Sequence, residues 1–325
     1  EKFSQKNIDS SDNRITWTYE FAIQPGKNTI YADVASWQGI KTRSEQLELT
    51  VQKPDQAQQR LVIKSIGIND YANDELKLNY AVADAVSVAK RFAADDVDFS
   101  TLKNKKTILD RQASSNQLRQ ELLTLGELDA EDTVILFLSG HGVAVDNTWF
   151  YLPQESQSLH SAEAVKQVGI SSDELASAII NSPAKRFFLA VDACQSGALI
   201  GSFDTFLQLK SLQQLSEQTG IHIMTATRAD QFAPEFSSLK HGLFPYTMLK
   251  ALEQKNGQFK ADQWPKDNIL TIEEIKKFVM KYSPILLRVL ISKLADQPGQ
   301  KGIENLDIIV SPAQLSTGMD FQLTK

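Results

Sequence analysis

One cysteine in 325 residues rules out an internal disulfide and any zinc site built on several thiolates. The four histidines are scattered, with no metal-ligand spacing. No Asp-rich loop has calcium spacing; Glu131-Asp132 and Asp95-Asp96 read as solvated loop acids. No metal and no cofactor are therefore expected. No apolar run is long enough to span a bilayer, and no signal peptide opens the chain, so neither membrane nor export is expected and the expectation is cytoplasmic. The chain starts at Glu1 without a Met and reads as a processed or cloned piece. Positive charge is in the minority, 34 Lys and Arg against 40 Asp and Glu, for a net charge of -6. That argues against nucleic acid as an electrostatic partner and permits a cationic one.

What is present is a core: 42% of residues are hydrophobic and 23% charged. Residues 1–55 differ from the rest. Ile15, Trp17, Tyr19, Phe21 and Ile23 alternate with polar or small residues, the period of a half-buried strand. Pro25-Gly26 marks a turn, Thr29–Val34 a second strand, and Leu47, Leu49 and Val51 a third. The pattern is that of a small β-sandwich of immunoglobulin type, with too few strands to be complete. It carries no visible chemistry, so docking to a regulatory protein or a further domain is its expected task. Lys53–Gln59 is polar, contains Pro54 and reads as a linker.

From Leu61 onward, strands and helices alternate. Leu61–Ile68 is a strand, and Tyr80–Ala94 a helix with Ala81, Ala85, Val88 and Phe92 on one face. Lys106–Leu109 is a strand. Ser114 with Gln117, Ser171 with Glu174, and Thr271 with Glu274 have capping-box spacing and open three helices. Ile221–Ala226 is a strand and Gly242–Glu253 a helix, and Pro284 is expected to interrupt or restart the last helix. The fold class is α/β: a mostly parallel sheet covered by helices on both faces. Trp149, Phe150 and Tyr151 read as core or hairpin packing, and His160, His222 and His241 as ordinary surface or core histidines.

Two apolar runs end in unusual turns. Thr133–Leu138 leads into Ser139-Gly140-His141-Gly142, and Phe187–Val191 into Asp192-Ala193-Cys194-Gln195-Ser196-Gly197. Buried parallel strands closed by such turns present ligands at their carboxyl ends. If the two strands are neighbours, His141 and Cys194 meet there, and a thiol beside an imidazole suits thiolate attack on a carbonyl. The plainer alternatives are a buried structural cysteine, a turn histidine, a solvated Asp84, and an Asp192 that caps local N–H groups.

These two motifs, about 50 residues apart, resemble the caspase-like cysteine peptidases. Asp192 stands where animal caspases carry Gln, and the Asp-x-Cys-x-Ser-Gly form is similar to metacaspases and their prokaryotic relatives, the orthocaspases. Ile66-Gly67-Ile68-Asn69, Tyr80–Ala85, Ala226–Glu235 and Gly242-Leu243-Phe244 match further landmarks. The resemblance covers residues 61–325, with a large-subunit-like part at 61–200 and a small-subunit-like part at 219–325. It implies a protein endopeptidase with Cys194 as nucleophile and His141 as base, then acid. The N–H groups of Gly142 and Cys194 would hold the oxyanion. It further implies that Asp84, Ser139 and Asp192 line a pocket for Arg or Lys at P1, the residue before the scissile bond. Arg228–Glu235 is a candidate wall of the substrate groove. Lys210, the one basic residue of Ala198–Gly220, is the candidate self-cleavage site, although Phe203, Phe206, Leu207 and Leu212 favour a packed helix there. Some metacaspases need calcium, and that dependence stays open. A signalling or scaffold module that kept the fold without its chemistry is the alternative from another class.

Overall fold

The computed structural model describes residues 2–9, 14–20, 26–35, 41–51, 60–94, 102–158, 161–193, 202–226, 239–263, 266–295, 313–316 and 320–323. The chain divides into two compact units, residues 1–57 and 58–325. In the first unit, β1 (Lys2–Asp9) pairs with β2 (Arg14–Glu20), β3 (Gly26–Ile30) with β6 (Leu47–Val51), and β4 (Asp33–Ala35) with β5 (Lys41–Arg43), all antiparallel. Along β6, Leu49 and Val51 are half-buried and Glu48 and Thr50 exposed, as the alternation requires, but Leu47 is exposed as well.

The second unit is built on a six-stranded sheet. Its strands in chain order are β7 (Arg60–Gly67), β8 (Leu102–Leu109), β9 (Thr133–Ser139), β13 (Arg186–Asp192), β14 (His222–Thr225) and β17 (Ala313–Ser316). Across the sheet they lie in the order β17-β14-β13-β9-β7-β8. All pairs are parallel except β14 with β17. β8 starts earlier than its apolar run suggests. Asn104, Lys105 and Lys106 are exposed, and an edge strand tolerates polar residues because only one side of it pairs.

The period of two sorts side chains to the two faces. Leu61, Ile63, Ile135, Phe137, Phe188, Ala190 and Met224 pack with α1 (Ala81–Phe92), α6 (Leu243–Ala251) and α7 (Ile272–Ala295). Val62, Val134, Leu136, Leu138, Leu189, Val191 and Ile223 pack on the other side. There they meet α2 (Ser115–Leu123), α4 (Ser172–Ile180) and α5 (Ser202–Thr219), while α3 (Ala162–Val168) contributes Val165. Continuous apolar strands of this kind are what double coverage demands. The Ser171–Glu174 capping box is complete, with Glu174 Oε2 2.8 Å from the Ser171 N–H. Thr271 and Glu274 reciprocate in the same way. Helix α7 runs through Pro284 without a break. Ile275 and Val279 before it, and Leu287 and Leu290 after it, are buried, so packing on both sides outweighs the lost hydrogen bond.

A smaller antiparallel sheet stands at the carboxyl edge of β9. Its hairpin, β10 (Gly142–Val145) and β11 (Thr148–Tyr151), turns through Asp146 and Asn147, both at positive φ (49° and 64°), the conformation of a two-residue I′ turn. β12 (Ile170–Ser171) joins β11. Trp149 and Tyr151 are fully buried as core residues of this hairpin. At the opposite end of α6, β15 (Gln254–Lys255) and β16 (Gln258–Phe259) form a short hairpin.

Candidate active site

β9 and β13 are parallel neighbours with Ser139 opposite Asp192, and the Gly140 N–H donates to the Asp192 carbonyl at 3.2 Å. His141 lies two residues past Ser139. Cys194 lies two residues past Asp192 and outside the described residues, as does Arg228–Glu235. Gly140 adopts φ 152°, and a Cβ there would lie 2.6 Å from the Tyr71 hydroxyl, so only glycine fits the step into His141.

His141 is 3% exposed and held on three sides. Its backbone N–H donates to the Tyr71 hydroxyl at 2.7 Å, and its carbonyl accepts from the Leu152 N–H at 2.9 Å. Its ring lies 4.9 Å from the Tyr71 ring, centroid to centroid. Its Nε2 is 2.8 Å from the Leu76 carbonyl. A carbonyl only accepts, so Nε2 carries the hydrogen and Nδ1 carries the lone pair. Nδ1 is buried and has no hydrogen-bond partner among the described residues. Burial lowers the His141 pKa below its ordinary value, against a smaller upward pull from the Leu76 bond. That shift favours the neutral imidazole, the state a general base needs.

The segment that supplies Leu76 and Tyr71 is itself fastened. Asp110 Oδ1 accepts from the N–H groups of Asn69 (2.8 Å) and Asp70 (3.0 Å), and Asn69 accepts from Leu78 and Val82. Tyr151 donates to the Ser139 carbonyl at 2.8 Å. Tyr71, Leu76 and Asp110 support the candidate site and were not singled out from the sequence, while Tyr151, read there as core or hairpin packing, also holds the end of β9. Leu76 acts through its main chain, which leaves no residue-type signature. The Tyr71→Phe variant is expected to lose about tenfold in kcat with KM nearly unchanged, because the His141 N–H is left buried without its acceptor. An unchanged kcat with a lowered melting temperature would give Tyr71 a structural role only.

Gly142 opens β10. A Cβ at this position would collide with the Ala193 carbonyl and lie 2.6 Å from Trp149 Nε1. The glycine thus lets the histidine turn press against the residue that precedes Cys194.

A second cluster lies on the α1/α6 face. Asp192 follows Phe188 and Ala190 on that face, and Ser139 follows Ile135 and Phe137. Ser139 is buried and Asp192 half-buried. Asp84 occupies the buried stripe of α1 with Ala81, Ala85 and Val88, its side chain only 2% exposed. It is not a solvated helix residue. A Cβ at Gly242, the N-cap of α6, would lie 2.7 Å from Asp192 Oδ2 and 3.3 Å from Asp84 Oδ2, so the two carboxyl groups converge on one point. Burial, and then the charge of Asp84, push the Asp192 carboxyl well above its ordinary pKa. Asp84 Oδ1 is 2.6 Å from His241 Nδ1, and its Oδ2 accepts from the Gly242 N–H at 3.1 Å. His241, read from the sequence as an ordinary surface or core histidine, thus meets Asp84 in this cluster. Its signal in the sequence was its place directly before Gly242-Leu243-Phe244.

Lys210 is exposed in the middle of α5, with Leu212 and Leu215 buried beside it. No group of three or more His, Cys, Asp or Glu side chains that would hold a metal ion occurs among the described residues. None of the described helices is long and apolar enough to cross a membrane.

A mostly parallel sheet covered on both faces, with a buried imidazole and two converging carboxyl groups at its carboxyl edge, belongs to the α/β class that places its ligands at that edge. Residues 63–276 match the family described as the Caspase domain, and the chain belongs to that family of cysteine peptidases. Among solved structures it is similar to the Drosophila initiator caspase Dronc, at 10% identity and a TM-score of 0.43, covering 81% of each chain. It is also similar to pro-sf-caspase-1, at 11% identity and a TM-score of 0.43, covering 81% of this chain and 93% of that one. No curated protein matches.

Proposed function

We propose that this chain is a cysteine endopeptidase that cleaves proteins after Arg or Lys. Cys194 attacks the scissile carbonyl while His141 Nδ1 takes the thiol proton; the same nitrogen then gives the proton to the leaving amine. A water, deprotonated by His141, hydrolyses the thioester and restores the thiol. The N–H groups of Gly142 and Cys194 hold the developing oxyanion. Asp84, Asp192 and Ser139 receive the P1 side chain. The mechanism calls for no cofactor and no calcium.

The observation that carries this reading is the convergence of the Asp84 and Asp192 carboxyl groups beside Gly242. Two like-charged acids in one buried place repel each other, and a guanidinium or ammonium between them relieves both the repulsion and the lost hydration. The same pair of acids favours the metacaspase and orthocaspase branch, of prokaryotic type. Residues 1–55 are proposed as an immunoglobulin-like docking module, and the protein as cytoplasmic. Self-cleavage after Lys210 would require α5 to unwind first, since a helical peptide bond cannot lie extended across an active site.

The test is a set of fluorogenic peptides that differ only at P1. Arg and Lys peptides are expected to turn over at least a hundredfold faster than Asp or citrulline peptides, the size of discrimination expected when buried charges are left unpaired. Faster turnover of the Asp peptide would reverse the assignment.

A further inference from the structure

Asp84 is gripped by two consecutive residues. His241 Nδ1 stands 2.6 Å from one carboxylate oxygen, and the Gly242 N–H stands 3.1 Å from the other. An ionised carboxylate only accepts, so Nδ1 carries a hydrogen toward it. The Asp84 side chain is 2% exposed and that of His241 20%. The groups facing His241 are Asp84 from α1, Asp192 at the end of β13 through their shared contact with Gly242, and Tyr246 one turn into α6, 6.5 Å away ring to ring. Lys250 lies beyond Tyr246, with Nζ 5.1 Å from that ring, and Lys240 precedes His241 in the chain.

We propose that His241 is a positioning residue of the P1 pocket: it fixes Asp84 through Nδ1–H and so aims that carboxylate at a basic P1 side chain. The inference rests on the basic-P1 reading above. The imidazole N–H and the Gly242 N–H hold one carboxylate oxygen each, so Asp84 keeps one orientation toward an incoming guanidinium or ammonium.

The experiment compares kcat/KM for two peptides that differ only in Arg or citrulline at P1, at a single pH, in wild type, His241→Asn and His241→Ala. The Arg-to-citrulline ratio removes effects on Cys194 and His141, which both peptides share. His241→Ala should lower the ratio on the order of tenfold, carried by KM rather than kcat. His241→Asn keeps an N–H donor, so its ratio should stay closer to wild type than to His241→Ala. A wild-type ratio in His241→Ala would overturn the positioning, and a ratio in His241→Asn as low as in His241→Ala would overturn the hydrogen bond as its means. If wild type fails to prefer Arg over citrulline, the basic-P1 reading itself falls and this inference falls with it.

Discussion

Replacing His141 with alanine is expected to lower kcat/KM by a factor of about 1000 or more for every peptide this chain cleaves. The loss should fall on kcat, because His141, buried behind Tyr71 and Leu76, is proposed to act on the proton rather than on the bound side chains. Cys194→Ala should match it, and the double variant should be no worse than either, since base and nucleophile act as one unit. A His141→Ala enzyme that keeps a tenth of wild-type kcat would remove His141 from the reaction. The variant also leaves the Leu76 carbonyl without its partner, so a thermal melt must show that it folds.

The resting state of the thiol is open to a related measurement. A preformed thiolate–imidazolium pair needs a charged ring, and burial disfavours charge on His141. The dyad is therefore expected to rest as neutral thiol and neutral imidazole, with the proton moving as the sulfur attacks. Cys194 is the chain's one cysteine, so iodoacetamide reports on it alone. Its alkylation rate should climb with pH as that of an unpaired thiol does, rather than hold a plateau below neutrality. The acidic limb of kcat/KM for a citrulline peptide should lie below the ordinary histidine value of about 6.5. A fast plateau of alkylation reaching down to about pH 5 would show a standing ion pair instead.

The legible part of this protein was whatever depends on side-chain period and turn chemistry. Runs such as Thr133–Leu138 and Phe187–Val191 can only be doubly covered strands, and the Ser171–Glu174 box writes a helix start into four residues. The two strand-end motifs placed His141 at the carboxyl edge because parallel strands end there. What stayed hidden was carried by main chain or by tertiary contact. The Leu76 carbonyl orients His141, yet any residue at position 76 would supply a carbonyl. Asp110 fastens the segment from Asn69 to Leu78 across 41 and 40 residues, a separation that leaves no local pattern. Asp84 did leave a trace: an acid on the apolar stripe of α1 costs too much to bury without a task, and that exception was a better pointer than its charge alone. Pro284 misled because a local breaker rule was applied where buried residues on both sides hold the helix.

Asp192→Asn is expected to move stability and activity in opposite directions. In the free protein Asp192 shares a confined space with Asp84 beside Gly242, and burial together with that charge raises its pKa. The folded protein therefore holds the Asp192 proton more tightly than the unfolded chain does. The associated stability is full below the ordinary carboxylate range and is lost as pH rises through the raised value. At neutral pH and above, wild type bears the cost of ionising Asp192, and the amide does not. The variant should melt higher there, by about 2–4 °C for each kcal/mol recovered in a unit of this size, and the gain should vanish in acid. With substrate the order inverts. The amide cannot pair with a cation, so kcat/KM for an Arg peptide should drop about 100-fold while a citrulline peptide loses less than tenfold. Such a trade of stability against recognition marks an acid kept for its ligand rather than for the fold. An Asp192→Asn protein that melts lower than wild type at neutral pH, and keeps its preference for Arg, would make Asp192 a structural cap and leave the carboxyl pair without a substrate.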